Sequence, residues 1–195
     1  MKIIFIRHGE TKPNIERTYS GWNNVPLNRR GKAQAKKVGK HLSNEKIDKI
    51  YSSDLKRARE FARLAFKKSH IEASFDLREI NFGAFEGLTH EKIMDSYPKQ
   101  YRAWLLNPEK TTIPQGESLY DLKKRVFNFL SKIKKTQKHT TVAIVSHAGP
   151  IKSIIAHLNR SNNFWKIDVD NASITVLEHK NGKVLIKKIN NTSFL

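Results

Sequence analysis

The chain has 195 residues, 38% hydrophobic and 28% charged, with 37 Lys and Arg against 18 Asp and Glu and a net charge of +19. That length suits one domain around one core, and the composition excludes collagen-like, low-complexity and largely disordered chains. No apolar run approaches the ~18 residues of a membrane span, and without cysteine there is no disulfide, thiolate nucleophile or Cys-based zinc site. The first apolar run stops at Arg7-His8, too short for a secretory leader, so a cytoplasmic location is expected. The lysines are scattered. Their densest runs, Lys123-Lys124-Arg125 and Lys132 to Lys138, fall on a segment that also carries apolar residues, so the basic residues read as a solvated surface.

Residues 2–6 form an apolar run and predict a buried strand. Over 29–43, Ala33, Ala35, Val38 and Leu42 recur amid lysines behind Asn28, which predicts a capped helix. A short strand is expected over 48–51. Asp54 is placed to cap a helix through about 68, with Leu55, Ala58, Ala62 and Ala65 on one face. Residues 71–75 suggest another short strand. Residues 76–88 have no period and two glycines, so they read as a loop of the kind that lines sites. Two short helices broken near Pro98 are expected over 89–106, then a loop bounded by Pro108 and Pro114. Ser118 with Asp121 resembles a capping box that opens a helix to about 137. Thr141–Val145 is a second apolar strand, and a helix follows over 150–158. Residues 172–178 and 183–189 alternate around Asn181-Gly182, a two-residue hairpin signal. Strands alternating with helices predict an α/β sandwich with a mostly parallel sheet.

Ligands of such sheets bind outside the carboxyl ends of the strands. Two strand ends here carry a histidine followed closely by glycine: Arg7-His8-Gly9 and Ser146-His147-Ala148-Gly149. Neither is a dinucleotide or Walker loop. The other histidines, His41, His70, His90, His139, His157 and His179, lack metal-ligand spacing and read as surface or packing residues.

Five segments occur in order: Arg7-His8-Gly9-Glu10-Thr11 with Asn14; Tyr19-Ser20-Gly21-Trp22-Asn23-Asn24; Ser52-Ser53-Asp54-Leu55-Lys56-Arg57; Leu77-Arg78-Glu79-Ile80-Asn81 through Gly87; and Gly116-Glu117-Ser118 with Ser146-His147-Ala148-Gly149-Pro150. Together they resemble the histidine phosphatase superfamily, the phosphoglycerate mutase-like proteins, over residues 2 to about 178. The resemblance implies a three-layer α/β/α sandwich forming a single domain, with residues about 79–116 as a cap-like helical insertion over the site.

It also implies roles. His8 would be the nucleophile, attacking phosphorus to give a phosphohistidine. Arg7, Arg57 and His147 would hold the phosphoryl oxygens, guanidinium forks bidentately and His147 as a charged imidazolium. Glu79 would be the general acid for the leaving alkoxide and then the base for water, with Glu10 and Glu86 as alternatives. Asn14, Ser20 and Gly21 would line the substrate side. Three cationic donors leave no need for a metal, and no cofactor is implied. The small size favours water as acceptor, hence a phosphomonoesterase of the branch containing α-ribazole, broad-specificity and metal-independent phosphoserine phosphatases. The partner is then a small phosphomonoester, with no specific nucleic acid, no membrane, and a monomer or homodimer. Phe194 stands where part of that branch has a C-terminal histidine. The alternatives are mutase-type phosphoryl transfer and a basic nucleic-acid-binding module on the same fold.

Overall fold

The computed structural model describes residues 1–136, 140–160, 164–180 and 182–195. Six strands form one sheet: β1 (Lys2–Arg7), β2 (Lys49–Ser53), β3 (Glu72–Ser74), β4 (Thr141–Ser146), β5 (Ile174–Lys180) and β6 (Lys183–Asn191), in the order β3-β2-β4-β1-β5-β6. The pairs β1·β4, β2·β4 and β2·β3 are parallel, and β1·β5 and β5·β6 are antiparallel. The sheet is therefore mostly parallel, as expected, with an antiparallel hairpin added at one edge.

The described residues hold seven α-helices: α1 (Lys12–Glu16), α2 (Arg29–His41), α3 (Lys56–Ala65), α4 (His90–Ser96), α5 (Pro98–Leu106), α6 (Leu119–Thr136) and α7 (Ala148–Leu158). Alternate strand residues serve two cores. Ile4, Ile6, Ala143 and Val145 pack with Ala35, Val38, Phe61 and Ala62 of α2 and α3. Phe5, Val142 and Ile144 pack on the other face with Leu122, Val126, Ile151 and Ile154 of α6 and α7. Central strands buried on both faces read as unbroken apolar runs, which is why β1 and β4 are plain in the sequence.

Local signals set several boundaries. The Asn28 side chain accepts the Gly31 N–H at 2.8 Å and starts α2. Ser118 and Asp121 exchange hydrogen bonds of 3.0 and 3.2 Å and start α6. Asp54 behaves differently from expectation. Leu55 is the N-cap of α3, which ends at Ala65. The Asp54 carboxylate instead takes two bonds of 2.7 Å from Arg78, a bidentate pair that a local capping bond cannot match. The loop over 76–88 carries two single 3-10 turns at its ends, Phe75–Leu77 and Gly83–Phe85. Helix α1 has no counterpart among the expected elements. The expected end of α6 at Gln137, the end of the lysine run at Lys138, His139 and the turn residue Asn181 lie outside the described residues.

Candidate active site

The register of β1 on β4 sets the site. Arg7 lies beside Ser146, and the His8 N–H donates to the Ser146 carbonyl at 3.0 Å. The two strand-end histidines are thereby neighbours, with ring centroids 5.0 Å apart. A cavity of about 330 Å³ opens there, lined by Arg7, His8, Asn14, Ser20, Gly21, Arg57 and Glu79 with Arg17, Thr18, Tyr19, Phe82 and His90. Every expected site residue except His147 lines it. His147 is fully buried beside His8.

The His8 ring has one assignable tautomer. Its Nδ1 lies 2.7 Å from the Gly9 carbonyl, which can only accept, so Nδ1 carries the proton. Nε2 then keeps its lone pair, and the Arg57 Nε–H donates to it at 3.2 Å. Burial first, and then the charges of Arg57 and Arg7, hold the His8 pKa well below the ordinary histidine value. The ring is neutral, with a basic nitrogen among cations.

Arg57 reaches this position from the first turn of α3. Its Nη1 and Nη2 donate to the carbonyls of Asn23 and Gly21 at 2.9 and 2.7 Å, so it also ties down the loop that presents Ser20 and Gly21. Burial lowers its pKa to about 10, so it stays charged at neutral pH. Gly21 sits at φ +40°, and a Cβ there would meet Glu86 Oε1 at 2.0 Å. Arg7 is anchored through Nη1 to the Val169 carbonyl at 2.6 Å. Its buried Nε has no partner among the described residues, and neither does the buried Ser20 hydroxyl. Asn14 is the third residue of α1 and closes the capping box on the N-cap Thr11: its Oδ1 accepts from Thr11 N–H at 3.0 Å, Thr11 Oγ1 at 2.9 Å and Asn171 Nδ2 at 3.1 Å. With the acceptor thus occupied, the amide NH2 is the group Asn14 has left to offer.

His147 is expected as a charged imidazolium toward a bound phosphoryl group. Its Nε2 lies 2.8 Å from Ser53 Oγ, and its buried Nδ1 has no partner among the described residues. Burial, then Arg57 and His8, push its pKa well below normal, so the ligand-free ring is neutral.

Of the three glutamates, only Glu79 lines the cavity. Its carboxyl group accepts the N–H groups of Ile80 at 2.9 Å and Gly149 at 3.0 Å. Glu10 is held by Asn28 Nδ2 at 2.8 Å and Arg30 at 3.3 Å. Glu86 is spent on the N–H groups of Trp22, Asn23 and Phe82, at 2.6, 2.8 and 3.2 Å.

Two contributors were hidden in the sequence. Arg125, read as part of a basic surface run, is buried. Its guanidinium forks onto Glu117 and donates to the carbonyls of Asp76, Arg78 and Glu79 at 2.9, 2.7 and 2.7 Å, fixing the backbone that carries Glu79. His90, read as surface or packing, lines the cavity and bonds Tyr101 Oη at 2.9 Å, which in turn meets Tyr19 Oη at 2.6 Å. A capping Thr89 ahead of a helical pattern was the available signal for His90; for Arg125 it was helical spacing, three residues after Leu122 and four before Phe129. Among the described residues no three His, Asp or Glu side chains converge to hold a metal ion, and no helix is long and apolar enough to cross a membrane.

A parallel sheet with two histidines and two arginines at its strand ends defines a phosphoryl-handling enzyme of the phosphoglycerate mutase-like fold. The chain belongs to the histidine phosphatase superfamily (branch 1), whose family model matches residues 3–192; its enzyme class is that of a phosphatase, a hydrolase. Phosphoserine phosphatase 1 of Hydrogenobacter thermophilus is 35% identical, over 100% of this chain and 94% of that one. The adenosylcobalamin/alpha-ribazole phosphatase of Escherichia coli is 30% identical, over 87% and 86%. The crystal structure of a phosphoserine phosphatase mutant of Entamoeba histolytica in complex with phosphoserine superposes with a TM-score of 0.90 at 27% identity, covering 100% of this chain and 98% of that one.

Proposed function

We propose that the protein hydrolyses a small phosphomonoester through a phosphohistidine on His8. The observation that carries this is the tautomer: Nδ1–H held by the Gly9 carbonyl leaves Nε2 as a lone pair beside Arg57. Arg7, Arg57, Ser20 and the Asn14 amide supply donors for the phosphoryl oxygens, which is most of what phosphoryl transfer asks of a protein. A phosphoryl dianion between the guanidiniums offsets their field on His147, which then takes a proton from solvent and donates a hydrogen bond to a phosphoryl oxygen. The attack forms the N–P bond as the P–O bond to the alcohol breaks, and Glu79 gives its proton to the departing alkoxide. Glu79, now a carboxylate, takes a proton from water, which attacks phosphorus and frees His8 and inorganic phosphate.

The reading extends to the rest of the chain. Residues about 79–116 serve as a cap: Phe82 and His90 come from this stretch and line the cavity. The enzyme works without a metal or cofactor, in the cytoplasm, as a monomer or homodimer, with no specific nucleic acid. The names of the relatives support phosphoserine and α-ribazole phosphate as first substrates to try. The test is enzyme quenched in base during turnover, which carries alkali-stable, acid-labile phosphate. His8→Ala should lose both that label and at least about a thousandfold in kcat. Retention of more than about a hundredth of the wild-type rate would make His8 a phosphate ligand and water the direct attacker.

A further inference from the structure

A second cavity, of about 130 Å³, adjoins the first and shares Glu79 and Phe82 with it. None of His8, Arg7 and Arg57 lines it. Glu79, the acid of the proposed reaction, lines both cavities, so the second one adjoins the group that meets the departing alcohol. Its walls are aromatic. Trp104 meets Phe82 and Trp165 edge-on, at centroid distances of 5.8 and 4.9 Å, and Phe164 stands against Trp165 at 5.2 Å. Trp104 also carries a buried indole Nε1 without a hydrogen-bond partner among the described residues.

One side chain in this lining is cationic, Lys152 on the second turn of α7. Its ammonium sits 5.8 Å from the Phe164 ring centroid. It makes no hydrogen bond or ion pair with any described residue. Burial, and then the charge of Arg7, lower its pKa, while Glu79 and Asp168 act the other way. Lys152 is half-buried, and an ammonium that gives up part of its hydration without a contacting counter-ion among the described residues gains when an anion enters the cavity.

Resting on the phosphatase reading, we infer that Lys152 determines specificity, binding a carboxylate on the alcohol part of the phosphomonoester while Trp104, Phe164 and Trp165 enclose its carbon chain. The exposed Arg17 also lines the first cavity. Solvent screens it, so it adds little discrimination. An uncharged alcohol gains nothing from Lys152, and an amino alcohol lacking a carboxylate is repelled by it.

The experiment is steady-state kinetics of wild type, Lys152→Met and Lys152→Arg on O-phosphoserine, 3-phosphoglycerate, phosphoethanolamine and phenyl phosphate. Lys152→Met should raise KM for the two carboxylate esters about tenfold, the size of one lost charge contact, and leave phenyl phosphate within about twofold. Lys152→Arg should restore most of the loss. A wild-type measurement supplements the variants: 2-carboxyethylphosphonate should inhibit phenyl phosphate hydrolysis more tightly than propylphosphonate. An equal effect of Lys152→Met on all four esters, equal inhibition by the two phosphonates, or transfer of the carboxylate preference to Arg17→Gln would overturn the inference and leave the phosphatase reading standing. A wild type that hydrolyses none of the four esters would overturn the phosphatase reading itself.

Discussion

Two imidazoles packed together among guanidiniums make protonation the costly event at this site. His8 and His147 both have pKa values well below the ordinary histidine range, from burial first. In the unfolded chain each titrates near about 6.5. Below that pH the unfolded state binds protons that the native state refuses, so stability falls as pH falls, by about 1.4 kcal/mol per pH unit for each such histidine. Nothing is lost above about pH 6.5, where both states are neutral. Asp54 and Asp121, whose carboxyls Arg78 and Ser118 hold below the usual range, lose their contribution only below about pH 4, a separate window. Urea unfolding at pH 7.5 and 5.5 should therefore show a clear loss of stability at pH 5.5. His147→Gln should flatten that slope by about one proton's worth. A slope unaltered by the substitution would mean that His147 already carries its proton in the folded chain.

A single glycine offers a test of Glu79 that leaves the acid itself in place. A Cβ on Gly149 would lie 2.1 Å from Glu79 Oε1 and 3.2 Å from Leu122 Cδ2. The end of the Glu79 side chain is what must give way. Gly149 is the second residue of α7 and its backbone is not left-handed, so alanine can adopt its conformation and the fold should survive Gly149→Ala. The displaced carboxylate then meets the leaving oxygen badly. Turnover of alkyl phosphates should drop about a hundredfold and that of aryl phosphates far less, because a good leaving group needs little acid. Equal losses on both would remove Glu79 from the acid role.

At the scale of elements, what was legible depended on how far a residue's partner lies along the chain. Asn28 and Gly31, or Ser118 and Asp121, are three residues apart, and their caps could be read locally. Asp54 showed the same local pattern, yet its partner is Arg78, and no local rule anticipates that choice. Helix α1 was missed because it is five residues long and depends on Asn14 rather than on an apolar face. Arg125 is the sharpest case. Two lysines beside it suggested a wet surface, but on a helix the neighbour in sequence faces elsewhere, and position 125 follows Leu122 and precedes Phe129 along the buried stripe. There it joins Glu117, the two side chains 10% and 15% exposed, and pins the carbonyls beneath Glu79. Arg125→Ala strips the buried Glu117 carboxylate of its counter-ion, leaving it the Asn81 N–H alone, and leaves the carbonyls of Asp76 and Arg78 unpaired while that of Glu79 keeps Trp22 Nε1–H, a loss of about 3–5 kcal/mol. Arg125→Lys keeps the charge but not the fork, so it should lower kcat more than it lowers stability. Urea unfolding and kcat, measured on both variants, separate the two effects; unchanged kcat in Arg125→Lys would show that the fork does not position the acid.

The whole molecule adds a field. Eighteen acidic residues cannot neutralise 37 basic ones, and described pairs such as Lys32–Glu60 and Lys49–Glu72 consume part of the acid supply away from the site. The sequence showed the sum but not its arrangement, since which basic groups end near the cavity depends on the sheet register and on long-range contacts such as that of Arg57 with His8. The fold turns Arg7 and Arg57 toward one cavity and Lys152 toward the adjoining one, and leaves the lysines of α2 on the outside. Two consequences can be separated. The surface lysines attract any anion at long range and are screened beyond about 10 Å at 0.1 M salt. The cations that line the cavities act at contact, where salt screens less. Raising sodium chloride from about 20 mM to about 500 mM, across which the Debye length shrinks from roughly 20 Å to roughly 4 Å, should therefore lower kcat/KM for a dianionic phosphoester several-fold. The change should lie in substrate capture, leaving kcat within about twofold. Viscosity dependence of kcat/KM at low salt would identify capture as the sensitive step. If kcat falls in parallel with kcat/KM, salt is reaching the phosphoryl site itself, and the surface charge serves solubility rather than substrate capture.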